Sequence, residues 1–238
     1  ANIYLAPYGR KIGPDPASTD SAMIGGIISN NASGMSCGTH ENSYRTIADA
    51  RIILADGTIL DTADKNSVAK FRETHKEMIQ KLEEISARIN SKPELKERIA
   101  KKHSIKNTTG YGLNSFVDYS DGIDIIKHII VGAEGTLAFL SDVTLNTVVG
   151  LPDKALALIV YPTIKIACEA VQILRHEPVS AVELLDRQSI RSVENVEGLP
   201  PFMKTLPDGC CALLVETCAQ SDDVLNKNVE KISESIKG

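Results

Sequence analysis

Two glycine-bearing stretches decide how this sequence folds: Ile24–Gly34, which reads IGGIISNNASG, and Val131–Leu137, which reads VGAEGTL. Both stretches lie in apolar sequence, about a hundred residues apart. Glycine has no Cβ, so it adopts positive φ angles and lets another molecule touch the peptide groups. Backbone amides that line a concavity bind phosphate oxygens. The two stretches therefore predict two loops that expose their backbone to a large polar cofactor.

Length and charge limit the class of protein. The chain has 238 residues, which is enough for one large domain or two modest ones. The net charge is -5 and the basic residues are scattered apart from 96–106, so the sequence lacks the basic surface of a nucleic-acid-binding protein. Apolar runs stay shorter than the roughly 18 residues of a membrane span, and the N-terminus has no signal pattern. We expect a cytoplasmic protein, with attachment to the inner face of the membrane as the alternative.

The cysteines do not indicate a metal site. There are five of them, at 37, 168, 210, 211 and 218, an odd number without a CxxC pair. This pattern excludes a disulfide framework and a zinc or iron–sulfur site of the usual spacing. We expect free thiols and no bound metal.

The first 149 residues show three local patterns. The stretch Ala48–Leu60 reads as a strand, a tight two-residue Asp56–Gly57 turn and a second strand. Apolar residues on one stripe of Ser67–Asn90 predict a single amphipathic helix of about six turns. Ser91 and Pro93 predict the cap and first turn of a second helix that ends at Lys102. Together they form a helical insertion, residues 66–103. Ile123–Val131 fits either a helix end or a buried strand, and Thr136–Val149 reads as one or two strands.

A second unit is expected after Gly150. Strands and helices alternate there, which predicts a sheet covered by helices, a ferredoxin-like plait being the expected arrangement. The predicted strands are Ala155–Tyr161, Val179–Leu185 and Cys210–Cys218, and the predicted helices are Ile164–His176, Arg187–Asn195 and Asp222–Ile236.

Five motifs in order resemble one family. They are Gly13–Ser18 (GPDPAS), the Ile24–Gly34 stretch, Ala55–Gly57, Asn107–Tyr111 (NTTGY) and the Val131–Leu137 stretch. The series is similar to the flavin-binding half of the FAD-linked oxidases of the D-lactate dehydrogenase and glycolate oxidase type. The resemblance implies an α+β fold: residues 1–149 form the second subdomain of a PCMH-type FAD-binding domain, and residues 150–238 form part of the ferredoxin-like cap domain.

The resemblance also implies a site and a reaction. Backbone amides hold the FAD pyrophosphate, and a 2-hydroxy acid such as D-lactate or glycolate passes a hydride to the flavin. Its electrons then go to an iron–sulfur protein or a quinone. Lys106 is the candidate near the flavin ring or the substrate carboxylate, or else a surface lysine. The cofactor candidates carried over by position are Pro14, Asp15, Gly25, Gly26, Ala32, Ser33, Gly34, Thr39, His40, Arg45, Glu134, Gly135 and Phe139.

The sequence also departs from the family pattern. The glycine-rich phosphate loop of the first subdomain and the C-terminal histidine motif are absent, and Ala138 replaces a usual glycine. The resemblance therefore implies an internal fragment of a larger enzyme, with the catalytic base outside it. Half of the flavin contacts would be missing, so we expect the fragment alone to be inactive and to lose FAD, and its exposed apolar surface to be covered by dimerisation or loop disorder.

Other interpretations stay open for the chain and for single residues. The chain could be an inert scaffold whose insertion docks a partner, or a module for a smaller phosphate ligand. Gly25 and Gly26 could simply let a helix pack closely, and Glu134 could fix two loop amides. Of the histidines, His75 is expected to be solvated and His128 to lie near the core.

Overall fold

A computed structural model describes residues 1–237 as two compact units, the first Ala1–Val149 and the second starting at Gly150. The helices of the first unit are α1 (Asn2–Leu5), α2 (Ile24–Asn30), α3 (Ser43–Thr46), α4 (Lys65–Thr74), α5 (Lys76–Asn90), α6 (Pro93–Lys102), α7 (Ser115–Asp118) and α8 (Gly122–Ile129). Its strands are β1 (Arg10–Lys11), β2 (Ile47–Ile53), β3 (Ile59–Asp61), β4 (Phe139–Leu145) and β5 (Val148–Val149).

An antiparallel sheet of order β3-β2-β4 carries the core of the first unit. Ile52 and Leu60 pair across β2 and β3 and are fully buried, together with Ile28 of α2. The predicted hairpin is confirmed, but its turn is longer than predicted. Leu54 N donates to Thr58 O, so three residues form the loop, and among them only Gly57 has a positive φ, at 84°. A type I turn followed by a left-handed glycine fits the right-handed strand twist, so Asp56 needs no strained conformation.

The predicted single helix over Ser67–Asn90 is wrong, because it breaks at His75 into α4 and α5. The His75 ring stacks on Phe71 with ring centroids 4.3 Å apart, and its Nε2 lies 3.2 Å from Asp56 Oδ2 in the hairpin turn. These contacts hold the His75 side chain at 17% exposure, so it is not the solvated imidazole that we expected. Tertiary contacts with the turn thus override a periodicity that continues through the break.

Buried polar contacts dock the helical insertion onto the rest of the first unit. The Ser86 hydroxyl donates to the carbonyls of Phe116 and Tyr119, both at 2.9 Å, and Asn90 Nδ2 also donates to Phe116 O at 2.9 Å. These two carbonyls belong to α7 and to its C-cap, Tyr119. Carbonyls at the end of such a short helix lack partners within it. The second predicted helix is confirmed as α6, although Lys92 rather than Ser91 is its N-cap.

The second unit is a three-stranded antiparallel sheet of order β6-β8-β7 with helices packed against it. Its elements are β6 (Asp153–Tyr161), α9 (Ile164–Leu174), β7 (Ala181–Leu185), α10 (Arg187–Val193), β8 (Cys211–Ala219) and α11 (Asp222–Ser235). Leu213 of the central strand β8 packs in one cluster with Leu174 of α9 and Ile232 of α11. Apart from the short helix α10 between β7 and β8, this is the β-α-β-β-α order, with the third strand in the centre, of the predicted ferredoxin-like plait.

Both units combine helices with antiparallel sheets, which is the predicted α+β class. Within residues 1–237, none of the helices is at once long enough and apolar enough to cross a bilayer.

Candidate functional site

The two glycine-bearing stretches meet along the C-terminal half of α2. Glu134 N donates to Ser29 O at 2.8 Å, and Gly132 N donates to Ile28 O at 3.2 Å. The carbonyls of the last turn of a helix lack partners within it, so the amides of the second stretch complete α2. A side-chain bond adds to the contact, because Asn30 Nδ2 donates to Glu134 Oε1 at 2.6 Å. The Glu134 carboxylate thus binds a side chain rather than two loop amides.

The predicted loop around Gly25 and Gly26 is wrong, because both residues lie in α2. Ile27 and Ile28 are buried and anchor this helix to the sheet, which explains why the stretch is helical. Close packing does not require either glycine. A Cβ on Gly26 would have no atom within 4 Å, and one on Gly25 would have only Leu140 O, at 3.7 Å. The glycines therefore leave one face of the first turn of α2 as bare backbone.

Helix α2 ends at a left-handed residue that is not glycine, and the second glycine-bearing stretch contains another. Asn31, the C-cap of α2, has φ 54°, and so does Glu134. Asparagine is common in this conformation, whereas glutamate is uncommon there and costs on the order of 1–2 kcal/mol. The hydrogen bonds of Glu134 to Ser29 and Asn30 hold it in this shape.

The GPDPAS motif packs against the end of the first stretch. Asp15 N donates to Ser33 O at 3.1 Å, and Asp15 forms a parallel bridge with Gly34. Pro14 and Ser33 are buried, so their side chains are not exposed to a ligand. Lys106 reaches the same place, because its Nζ donates to Gly34 O at 3.0 Å. The structure thus brings Asp15, Gly34 and Lys106 together.

Thr39 and Arg45 line a small pocket beside the C-terminal end of α2, which we call the asparagine pocket. His40 is exposed and is not part of its lining, and Phe139 is 67% exposed at the start of β4. Sequence reasoning assigned no site role to the other polar side chains here, although an asparagine three residues before a glycine, as in Asn31–Gly34 and Asn107–Gly110, was a visible signal. They are Asn31, Asn42, His103, Asn107 and Asn114.

A cluster of three aromatic side chains, Tyr44, Tyr119 and His128, includes one residue of the pocket lining, Tyr44. Tyr44 OH donates to Asp118 Oδ2 at 2.9 Å, and burial together with the Asp118 carboxylate raises the pKa of this phenol well above its usual value. The His128 ring stacks on Tyr119 at 3.9 Å and meets Tyr44 edge-on at 5.2 Å. His128 is 4% exposed, as expected, and burial lowers its pKa below the ordinary value. The Asp118 carboxylate also lies 3.3 Å from Arg45 Nη1.

His128 should make the first unit sensitive to mild acid. Because its pKa is lower in the folded chain than the roughly 6.5 of the unfolded chain, the unfolded state binds a proton first as the pH falls below that value. Stability is therefore lost as the pH drops. His128→Phe keeps an aromatic ring that cannot titrate. We expect its unfolding free energy, measured by urea unfolding, to fall less than that of the parent between about pH 7.5 and 5.5. His40→Gln, which changes an exposed histidine, should follow the wild-type curve, and equal slopes for all three proteins would contradict the assignment.

Among residues 1–237, His, Cys, Asp and Glu side chains do not gather in any group of three or more that could hold a metal ion. All five cysteines are free.

Two family profiles match the chain. Residues 1–63 match the FAD binding domain, and residues 151–238 match the C-terminal domain of FAD linked oxidases. Among solved structures, an alkyldihydroxyacetonephosphate synthase superposes with a TM-score of 0.59 at 14% identity, covering 99% of this chain and 36% of the other. The two profile matches confirm the predicted family of FAD-linked oxidases, and the superposition supports the predicted α+β fold class.

Curated relatives include dehydrogenases of two kinds. A D-2-hydroxyglutarate dehydrogenase of Haemophilus influenzae is 27% identical over 61% of this chain and 14% of its own length. The mitochondrial D-lactate dehydrogenase [cytochrome] 1 of Saccharomyces cerevisiae is 25% identical over 83% of this chain and 25% of its own length, and a D-lactate dehydrogenase of Archaeoglobus fulgidus is 22% identical over 80% and 32%. The chain thus spans at most about a third of the length of these relatives. All three are named as dehydrogenases, so none of these names favours an inert scaffold.

Proposed function

We propose that this chain, which belongs to the FAD-linked oxidase family, holds part of the flavin in an enzyme that oxidises a D-2-hydroxy acid. FAD is the cofactor that the matched family implies for the full-length enzyme. Relatives named for D-lactate and for D-2-hydroxyglutarate support the substrate class, because both compounds are D-2-hydroxy acids. The contact between the two glycine-bearing stretches is the observation that carries the proposal.

The exposed backbone at Gly26 and Gly135 fits a dinucleotide cofactor. The Cβ positions of Gly26 and Gly135 are both open, and Gly135 has φ 72°, a conformation that suits glycine. Since α2 has seven residues, it is about 10 Å long, so its first turn and Glu134 at its last turn lie within about one helix length. Open main-chain amides bind phosphate without the desolvation cost of a buried lysine. The proposed contacts by backbone are Pro14, Asp15, Gly25, Gly26, Ala32, Ser33, Gly34, Gly135 and Phe139, and those by side chain are Thr39, His40, Arg45 and Glu134.

When bound, FAD supplies the two-electron acceptor for oxidation of the alcohol carbon. The chain itself contributes binding and placement. The Lys106 ammonium group donates one hydrogen bond to Gly34 O and has two further N–H donors. We propose that these donors orient the flavin ring or the substrate carboxylate. We further propose that an iron–sulfur protein or a quinone takes the electrons.

Flavin binding by variants of the full-length enzyme tests the proposal. Gly26→Val adds a branched side chain to the open face of α2, where it would displace a cofactor phosphate without a clash inside the protein. We expect the FAD dissociation constant, followed by the visible flavin absorbance, to rise at least about tenfold, as for loss of a hydrogen bond to a charged group.

A matched control separates this effect from helix stability. Ala69→Val introduces the same valine side chain at an exposed position of α4 and should leave FAD affinity unchanged. Both variants should keep the unfolding temperature of the parent within a few degrees. Equal FAD affinity for Gly26→Val and the parent enzyme would refute the site.

A further inference from the structure

The asparagine pocket is small and polar. Its volume is about 40 Å³, which is room for about three water molecules or one compact polar group, and too little for a ring system. Three segments enclose it: residues 31–45, residues 103–114 that follow helix α6, and Val131–Gly132. All three belong to the first unit.

Hydrogen bonding within the chain leaves this pocket rich in donors. Asn42 Oδ1 accepts from Arg45 N at 3.0 Å, Asn107 Oδ1 accepts from Thr109 N at 3.0 Å, and Asn31 Oδ1 accepts from Tyr44 N at 3.4 Å. A backbone N–H can bond only to an acceptor, so these contacts fix which end of each carboxamide is the oxygen. Each side chain then has its NH₂ group left, which only donates. Three side chains in one small pocket therefore offer N–H groups, while each of their oxygens already accepts one backbone N–H.

Arg45 adds a positive charge to these donors. Its side chain is 49% exposed, and Asp118 Oδ2 lies 3.3 Å from its Nη1. The same carboxylate oxygen accepts from Tyr44 OH, so Asp118 engages only part of a guanidinium that has five N–H donors. The remaining donors of Arg45 are free to bind a ligand anion, with Asp118 as the internal competitor for the charge.

We propose that the asparagine pocket binds a compact oxyanion, a phosphate or carboxylate group held by Arg45 and the carboxamides of Asn31, Asn42 and Asn107. Planar guanidinium and amide donors match the geometry of such oxygens. Arg45 is also one of the proposed flavin contacts, so a flavin phosphate is one candidate for this oxyanion. The donors described above do not themselves require that the chain serve a flavin enzyme.

Calorimetric titration of the full chain with inorganic phosphate, at constant ionic strength, tests the proposal. We expect saturable binding that Arg45→Gln weakens at least about tenfold, since the lost bond involves two charged groups. Arg72→Gln is the matched control. Arg72 is an arginine of similar exposure that pairs with Asp121 on the surface and does not line the pocket, and its loss should leave phosphate affinity unchanged.

A third variant separates ligand binding from a purely structural role. Asp118→Asn keeps an acceptor for Tyr44 but removes the competing charge, so it should bind phosphate more tightly than the parent chain. A structural role for Arg45 would instead make Asp118→Asn and Arg45→Gln weaken binding alike. That result, the absence of saturable binding, or equal losses in the two arginine variants would overturn the proposal.

Competition assigns the source of the oxyanion. Displacement of phosphate by ADP assigns the pocket to a nucleotide phosphate, and displacement by D-lactate assigns it to a substrate carboxylate. If neither competes, free phosphate is the ligand. FAD is absent from these titrations, so their failure would leave the flavin test of the Gly26→Val enzyme untouched.

Discussion

Gly34→Ala should destabilise the first unit by about 3 kcal/mol or more. A Cβ on Gly34 would lie 1.8 Å from Asp15 O and 2.4 Å from its carbonyl carbon, and both atoms are backbone that cannot rotate away. Residue 34 also has φ 76°, which costs a residue with a side chain about 1–2 kcal/mol. Forcing the two segments apart adds about 1–3 kcal/mol and breaks the bridge between Asp15 and Gly34.

Labelling of Cys37 gives a local readout of this change. Cys37 is 2% exposed and lies three residues after Gly34, so its thiol should react with a thiol reagent at a much lower urea concentration in the variant. Gly26→Ala is the control, because its new methyl group meets open space in α2 and gains up to about 1 kcal/mol of helix propensity. An unfolding free energy of Gly34→Ala within 1 kcal/mol of the parent value would mean that Asp15 does not pack against residue 34 as described.

These two glycines show what sequence reasoning resolves and what it misses. The sequence marks both as places where backbone matters, because only glycine lacks a Cβ. It does not say whether the backbone faces solvent or another part of the chain. Gly26 faces open space, whereas Gly34 touches Asp15, which is nineteen residues earlier in the chain. That difference depends on a long-range contact, which local patterns do not encode.

The same distinction applies to the elements of the fold. Strand alternation and helical periodicity predicted β2, β3, α9 and α11 because each of them has one apolar face and clear end signals. The break at His75 escaped prediction, since periodicity runs through it and the cause is a contact with Asp56 in a distant turn. The glycine content of the two stretches predicted that both expose backbone to one cofactor, but it did not predict their direct contact through Glu134 N and Ser29 O.

The asparagine pocket illustrates the limit for the site. Its donors come from segments on either side of the helical insertion, and they count as donors only once their oxygens are known to be engaged by Tyr44, Arg45 and Thr109. A list of asparagines in the sequence cannot supply that, because each carboxamide has both a donor and an acceptor end. Whether the pocket offers donors or acceptors to a ligand therefore depends on which side-chain groups are already hydrogen-bonded in the folded chain.

Leu213→Ala should cost the second unit about 2–5 kcal/mol. Leu213 is fully buried on the central strand β8, where it pairs with Ile159 of β6 and Leu184 of β7. Truncation would leave a cavity between the sheet and the helices α9 and α11, and the sheet cannot close it because β8 is hydrogen-bonded on both edges. The urea dependence of thiol labelling at Cys211, which is also fully buried on β8, measures the loss.

Leu156→Ala removes the same atoms from a leucine of β6 that is 61% exposed, so it should shift the labelling curve by no more than about 0.5 kcal/mol. The pair compares one chemical change at two levels of burial in a single sheet. If both variants shifted the curve equally, Leu213 would not lie in the core between sheet and helices, and the β6-β8-β7 order that buries it would be wrong. A large shift for Leu213→Ala alone would locate the stabilising contacts of this unit on the helix-covered face of β8.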